Sequence, residues 1–314
     1  MFQKKKAPVN EKAQRYCLLK FAEMCPTIRP SKCRKYATSV LPVIEEILKN
    51  GNEMMQQTFS DSMDRILDIL VYYLKEVEIQ KLIDESITNL SHTVAGHRRS
   101  ATELICSICR HYPKSQFSYI VGALKIKEIC LNQVGQNTQG IVGISYCLTK
   151  LVRLSDTFSK RKLDPRNPML EHIPLIVDFL IKFLDNEDHN VVSGCSELLI
   201  ALVSCFGEFE NHRAWFRNRQ EKQEESEKQE DIKYMSPLSQ KIEPDELLGK
   251  KLDFVQRIIP PLESLLTKTS TRTGTKASVI FGVSLVCRNF SSDFIEFLSN
   301  GSKGEQSSLF FCKF

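Results

Sequence analysis

Cys106-Ser-Ile-Cys109, with His111 two residues on, is the spacing in this 314-residue chain that comes nearest to a metal or redox site. A zinc site needs four tetrahedral ligands, and no second Cys/His pair follows at finger spacing; haem attachment needs histidine at 110, where Arg110 stands. Cysteines at i and i+3 share one helix stripe with Leu104, Ile105 and Ile108, so they are expected to pack a core. The histidines at 92, 97, 111, 172, 189 and 212 form no H-E-x-x-H and fall mostly in turns and at helix ends, where exposure is the ordinary outcome. Phosphate loops are absent, since Gly135, Gly140 and Gly143 do not have the spacing of a P-loop or a dinucleotide fingerprint. No catalytic, cofactor-binding or metal-ligating residue and no cofactor is therefore expected.

Weaker signals concern partners. His97-Arg98-Arg99 and Arg34-Lys35 begin helical stretches and could meet an acidic partner, although cations at turns ordinarily face solvent. Ser236-Pro237 offers a phosphorylation site. The sequons at Asn89, Asn289 and Asn300 are read as chance matches, because the basic start Lys4-Lys-Lys leads into charged residues and not into an apolar signal core. Eleven cysteines, among them Cys17, Cys130, Cys147, Cys195, Cys205 and Cys287 in apolar helical patterns, are expected as free thiols in a reducing compartment.

The elements that would position these residues follow from composition. With 42% apolar and 26% charged residues the chain can bury a full core, and only 13 Gly and 12 Pro disfavour a turn-rich β protein. The longest uncharged stretches, Ile129–Thr149 and Ala277–Cys287, are too polar or too short to span a bilayer. Residues 1–35 hold ten Lys/Arg against Glu11 and Glu23, a local net of +8 within a total of +5, so the rest of the chain nets to −3. That distribution excludes the general basic field of a nucleic-acid binder, and no specific nucleic acid is expected as a partner.

A repeat decides the fold class. His189–Val203, after Asp188 as N-cap, sets apolar residues at 191, 195, 198, 199 and 202, a single buried helix stripe. Ala101, Leu104, Ile105 and Ile108 repeat it 94 residues earlier. Taking the first apolar residue of the central pair as marker gives Leu18, Ile66, Leu104, Leu148 and Leu198, separated by 48, 38, 44 and 50 residues, with Val279 as a sixth. Between the markers lie second helical patterns at Cys33–Asn50, Val77–Leu90, Gln116–Leu131, Leu170–Leu184 and Leu252–Leu266, several with proline (Pro42, Pro174, Pro260, Pro261). Paired helices of this period stack because one pair cannot hide its own apolar stripe. The expected fold is an all-α solenoid of HEAT-type helix pairs: residues 1–207 as about four and a half pairs, 208–247 as a charged insertion loop carrying Trp215, 248–298 as further helices and 299–314 as a disordered tail. Neither end reads as capped, which suggests a piece of a longer solenoid.

Particular runs resemble one HEAT family. Phe21-Ala-Glu-Met-Cys-Pro-Thr-Ile-Arg-Pro-Ser-Lys-Cys-Arg34 leading to Val40-Leu-Pro42, then Arg98-Arg-Ser-Ala with Ser107-Ile-Cys-Arg-His111, then Asp188-His-Asn-Val-Val-Ser-Gly194 with Glu197-Leu-Leu199, are similar in order and spacing to the amino-terminal HEAT domain of the huntingtin family. The resemblance runs over roughly residues 7–205. It implies a fragment of a non-vertebrate member: a non-enzymatic scaffold of cytoplasm and nucleus, tied to vesicle transport and selective autophagy. Its partners would be other proteins on the solenoid surface and the remaining domains of a full-length relative. The alternatives are a HEAT adaptor of nuclear-transport or phosphatase type, and a HEAT region detached from a large kinase.

Overall fold

The computed structural model describes residues 11–111, 113–133, 137–162, 172–184 and 186–202, with isolated positions between 257 and 280. Every element in them is helical: α1 (Glu11–Met24), α2 (Pro30–Asn50), α3 (Glu53–Leu70), α4 (Glu76–Asn89), α5 (Ala95–His111), α6 (Pro113–Gln133), α7 (Thr138–Lys162), α8 (Ile173–Phe183) and α9 (189–202), with short 3-10 turns at Cys25–Thr27 and Val71–Tyr73. The chain divides into two compact units, Met1–Leu154 and Ser155–Phe314. The expected insertion at 208–247, its Trp215 and Ser236-Pro237, the tail at 299–314 and the helices from 252 to 298 lie almost wholly outside the described residues.

In the first unit the odd-numbered helices form one layer and the even-numbered helices the other. α3 packs between α1 and α5, while α4 packs against α2 and α6. This is the α-solenoid of HEAT-type pairs, and its markers sit where the periodicity puts them. Leu18, Ile66, Leu104 and Leu148 are all buried, and so is Leu198 in the second unit. Each such side chain removed from water contributes about 1.5–3 kcal/mol, and stacking makes those contributions continuous along the layer.

Local chemistry sets the helix ends. The Asn52 side chain accepts the Met55 amide at 2.9 Å and starts α3. The Glu78 carboxylate accepts the Lys75 amide at 2.6 Å and starts α4. Asp188 accepts the Asn190 amide at 2.8 Å, as an N-cap should, and the α9 stripe of Val191, Cys195, Leu198, Leu199 and Leu202 is fully buried. Proline has two different consequences. Pro174 occupies the first turn of α8, where a missing amide costs nothing, whereas Pro42 stands inside α2, which continues through it to Asn50.

Gly143 on α7 is required by close approach. A Cβ built there would fall inside the carbonyl oxygen of Leu90, which ends α4, so only hydrogen lets the two backbones meet. Its value is one of packing, not of phosphate binding. No helix among the described residues is long and apolar enough to cross a membrane.

Gly143→Ala is expected to destabilise the chain by about 2 kcal/mol or more, since backbone must move to admit the methyl. Gly122→Ala, on the exposed side of α6 with open space around it, should gain up to about 1 kcal/mol of helix propensity. Urea unfolding of both variants beside the parent checks the contrast.

Candidate interaction groove

Charged side chains run between successive helices of the second layer. Arg34 of α2 donates through Nη1 to Glu78 Oε2 at 2.9 Å and through Nη2 to Glu78 Oε1 at 3.0 Å, and it also reaches the Tyr73 carbonyl at 2.5 Å. Lys81 meets Glu45 at 2.7 Å and Lys49 meets Glu85 at 2.9 Å. The bidentate fork holds Glu78 below the usual carboxylate range, with the Lys75 amide assisting. One step on, Tyr119 donates to Asp84 at 2.6 Å, and that bond first, then burial, pushes its phenol up to about 12. The first layer is bridged by Arg15 with Thr58 at 2.8 Å, by Arg110 with Asp64, and by Lys150 with Glu103 at 3.2 Å.

Two sequence expectations are corrected here. Arg34 and Arg98 are not free to meet an acidic partner: Arg34 is committed to Glu78, and Arg98 donates to the carbonyls of His92 and Thr93 at 2.6 and 2.8 Å. Lys35 and Arg99 are the exposed members of their pairs. Nor are the histidines all exposed. His97 is buried, and His111 is mostly covered, lying 3.4 Å from Asp68 and 3.7 Å from Asp64.

His97 belongs to a polar junction that sequence patterning missed. Gln56 Nε2 donates to the Ile47 carbonyl at 2.5 Å and lies 3.2 Å from His97 Nδ1, while its Oε1 accepts from Ser100. Asn89, the first sequon residue, donates its amide to the Leu48 carbonyl at 2.9 Å, and His97 Nδ1 lies 3.3 Å from the same oxygen. These side chains add donors at the last turn of α2, where the Ile47 carbonyl already accepts the Gly51 amide at 2.9 Å. The His92 ring stacks on His97 with centroids 3.9 Å apart. Burial first, then the like charge of His92, lowers the His97 pKa. The available signal was a polar residue, Gln56, at the buried spacing of an otherwise apolar helix.

The candidate site is the outer side of the first helix pair. A groove of about 760 Å³ runs between α1 and α2, lined by Cys17, Leu18 and Phe21 from one helix and Val40, Val43 and Glu46 from the other. Pro42 also lines it; lacking an amide hydrogen, it leaves the Thr38 carbonyl without its helical donor. Glu46 is exposed and accepts the Asn50 side-chain amide of its own helix at 3.1 Å. Cys17, expected in a core, is exposed in this groove, whereas Cys106, Cys109, Cys147 and Cys195 are buried. Burial drives the Cys106 and Cys109 thiols well above their ordinary range, which keeps them protonated and suits packing, not ligation or redox exchange. No group of His, Cys, Asp or Glu among the described residues is arranged to hold a metal.

Comparison with known proteins places this helix stack. Residues 1–114 match the family described as huntingtin, N-terminal HEAT 1. Over 227 residues the chain is 34% identical to the HD protein homolog of Dictyostelium discoideum, an alignment covering 65% of this chain and 7% of that protein. Over 198 residues it is 27% identical to huntingtin of Takifugu rubripes, covering 59% of this chain and 6% of that one. The chain thus spans less than a tenth of the length of these relatives. An engineered protein of solved structure, 11% identical, aligns over 89% of this chain and 94% of its own at a TM-score of 0.39, too low to carry an argument.

Gln56→Ala is expected to cost about 2–3 kcal/mol, because Ser100, His97 and the Ile47 carbonyl would all lose a partner while still buried; chemical denaturation reads it directly. Acid should loosen the same junction. Folding depresses the His97 base, so the unfolded chain takes up the proton first, and stability present at neutral pH is lost as pH falls below about 6.5. His97→Gln should flatten that slope. Asp64, held low by His111 first and then by Arg110, should add its own loss only below about pH 4, so melting temperatures followed from pH 7.5 to 3 separate the two.

Proposed function

From a chain whose residues 1–114 belong to the huntingtin amino-terminal HEAT family, we infer a non-enzymatic scaffold that holds other proteins on its helix faces and performs no covalent chemistry itself. The observation that carries this reading is the open α1–α2 groove, apolar in its lining and continuous with the helix stack. Helical proteins recognise partners through such grooves, where an amphipathic helix buries its apolar stripe and a few charges set register. Family resemblance supports the finer reading: the scaffold serves vesicle transport and selective autophagy, works in cytoplasm and nucleus, and engages further domains of the same longer protein.

Fluorescently tagged full chain, expressed in cells without an endogenous copy, should be found in cytoplasm and nucleus and should float in part with transport vesicles and autophagic membranes. Val43→Asp combined with Glu46→Lys should lower the floated fraction by about fivefold, the effect of removing roughly 1 kcal/mol of binding. A chain that never floats, or that is confined to an organelle lumen, overturns the reading.

A further inference from the structure

Of the Lys/Arg crowded into residues 1–35, several are committed: Arg15 bonds Thr58, Lys20 pairs with Glu23 and Arg34 with Glu78. Arg29, Lys32 and Lys35, where α2 begins, are exposed and pair with no carboxylate among the described residues. Local stability does not explain them. A helix start carries partial positive charge and favours acids, and α3 opens with Glu53 and α4 with Glu76 and Glu78. The first turn of α2 has no acidic residue at all. Cations gathered there cost stability, and a local rule broken without a structural gain marks a functional surface.

The next repeat extends the same edge. The 3-10 turns Cys25–Thr27 and Val71–Tyr73 join the two layers, and the second packs against α2. Arg34 fixes it there, donating to the Tyr73 carbonyl at 2.5 Å while its fork holds Glu78, which accepts the Lys75 amide. Lys75 gives that tie only its backbone, so its exposed ammonium adds a fourth cation. Among the cations stand exposed apolar side chains. Tyr36 is 44% exposed, steadied by Phe21 with ring centroids 6.3 Å apart, and Val77 is 74% exposed. None of these six residues lines the α1–α2 groove.

Charge identifies the occupant. Four cations with apolar side chains among them suit a segment in which Asp or Glu is interspersed with large apolar residues. Glu76, exposed between Lys75 and Val77, sets its form. An anionic membrane or a nucleic-acid backbone presents continuous negative charge, which Glu76 repels, whereas a peptide can leave that one position uncharged. The α2 cations spread over about 9 Å of helix, and a neighbouring helix lies about 8–10 Å away, so about six residues of extended chain span the patch.

We propose that the turn edge shared by α1–α2 and α3–α4 binds an extended acidic segment of a partner protein, with carboxylates on Arg29, Lys32, Lys35 and Lys75 and apolar side chains on Tyr36 and Val77. This adds a second surface to the scaffold and rests on the scaffold reading only for the partner being a protein.

Fluorescence anisotropy of the labelled peptide Glu-Asp-Phe-Glu-Asp-Leu-Glu-Asp with the purified full chain tests it. The peptide should bind at least about tenfold more tightly than its amide counterpart Gln-Asn-Phe-Gln-Asn-Leu-Gln-Asn, and raising salt from about 0.05 to about 0.3 M should weaken it by about tenfold. Lys32→Glu with Lys35→Glu should lower affinity by about tenfold or more while raising the melting temperature by about 1–3 °C, because acids suit that helix start. Lys12→Glu with Arg99→Glu makes the same change in net charge near the starts of α1 and α5, at the opposite edge, and should alter affinity by less than about twofold. Val77→Ser should cost about threefold.

Equal binding of the acidic and amide peptides overturns the proposal, and so does an equal loss from the two double exchanges, which leaves only a general field. Phosphatidylserine vesicles or duplex DNA binding more tightly than the peptide, through the same Lys32 and Lys35, overturn it in favour of that surface. Because the readout is made on purified protein, a bound peptide beside a failed flotation experiment sinks the cellular reading alone, and an unbound peptide beside successful flotation sinks this proposal alone.

Discussion

At the end of α2 the carbonyls of Ile47 and Leu48 reach a buried junction, where the Gly51 amide closes on Ile47 and side chains of the next repeat supply the further donors. Gln56, Asn89 and His97 come from three different helices and converge on this one terminus. An unmade hydrogen bond inside a core costs about as much as a lost core methylene or more. The junction therefore specifies register: a shift of α3 or α5 by one residue would bury several polar groups unpaired. Apolar stacking supplies most of the stability of the layers, but it is indifferent to small slides, and the polar clamp is not.

The ion pairs between second-layer helices act on the same problem from outside. Lys81 with Glu45 and Lys49 with Glu85 leave both lysines more than half exposed, so each pair is worth at most about 1 kcal/mol and is weakened by salt. Their use lies in selecting which helix neighbours which, since a mismatched set would bring like charges together.

Much of the stack was legible in the chain. The markers Leu18, Ile66, Leu104, Leu148 and Leu198 are all buried, and Asp188 caps its helix as its type and position require. Periodicity succeeded because a helix in a solenoid has one covered stripe, and residues covered for that reason recur every turn. It failed for His97, Arg34 and Cys17, whose neighbours come from other repeats. Helix-end position made His97 look exposed, Arg34 read as a free cation, and Cys17 looked like core because its apolar stripe matches those of the later helices.

By itself the sequence determined the class of fold, the helix pairs, the cap at Asp188 and the family they resemble, because each depends on interactions within about one turn or on the recurrence of a pattern. Tertiary structure alone decided which polar residues are partners across repeats and why Gly143 must lack a side chain. Those outcomes depend on distances between residues some 40 or more positions apart, such as Gln56 with His97 and Arg34 with Glu78. No local spacing encodes such distances; they appear only when the pairs stack.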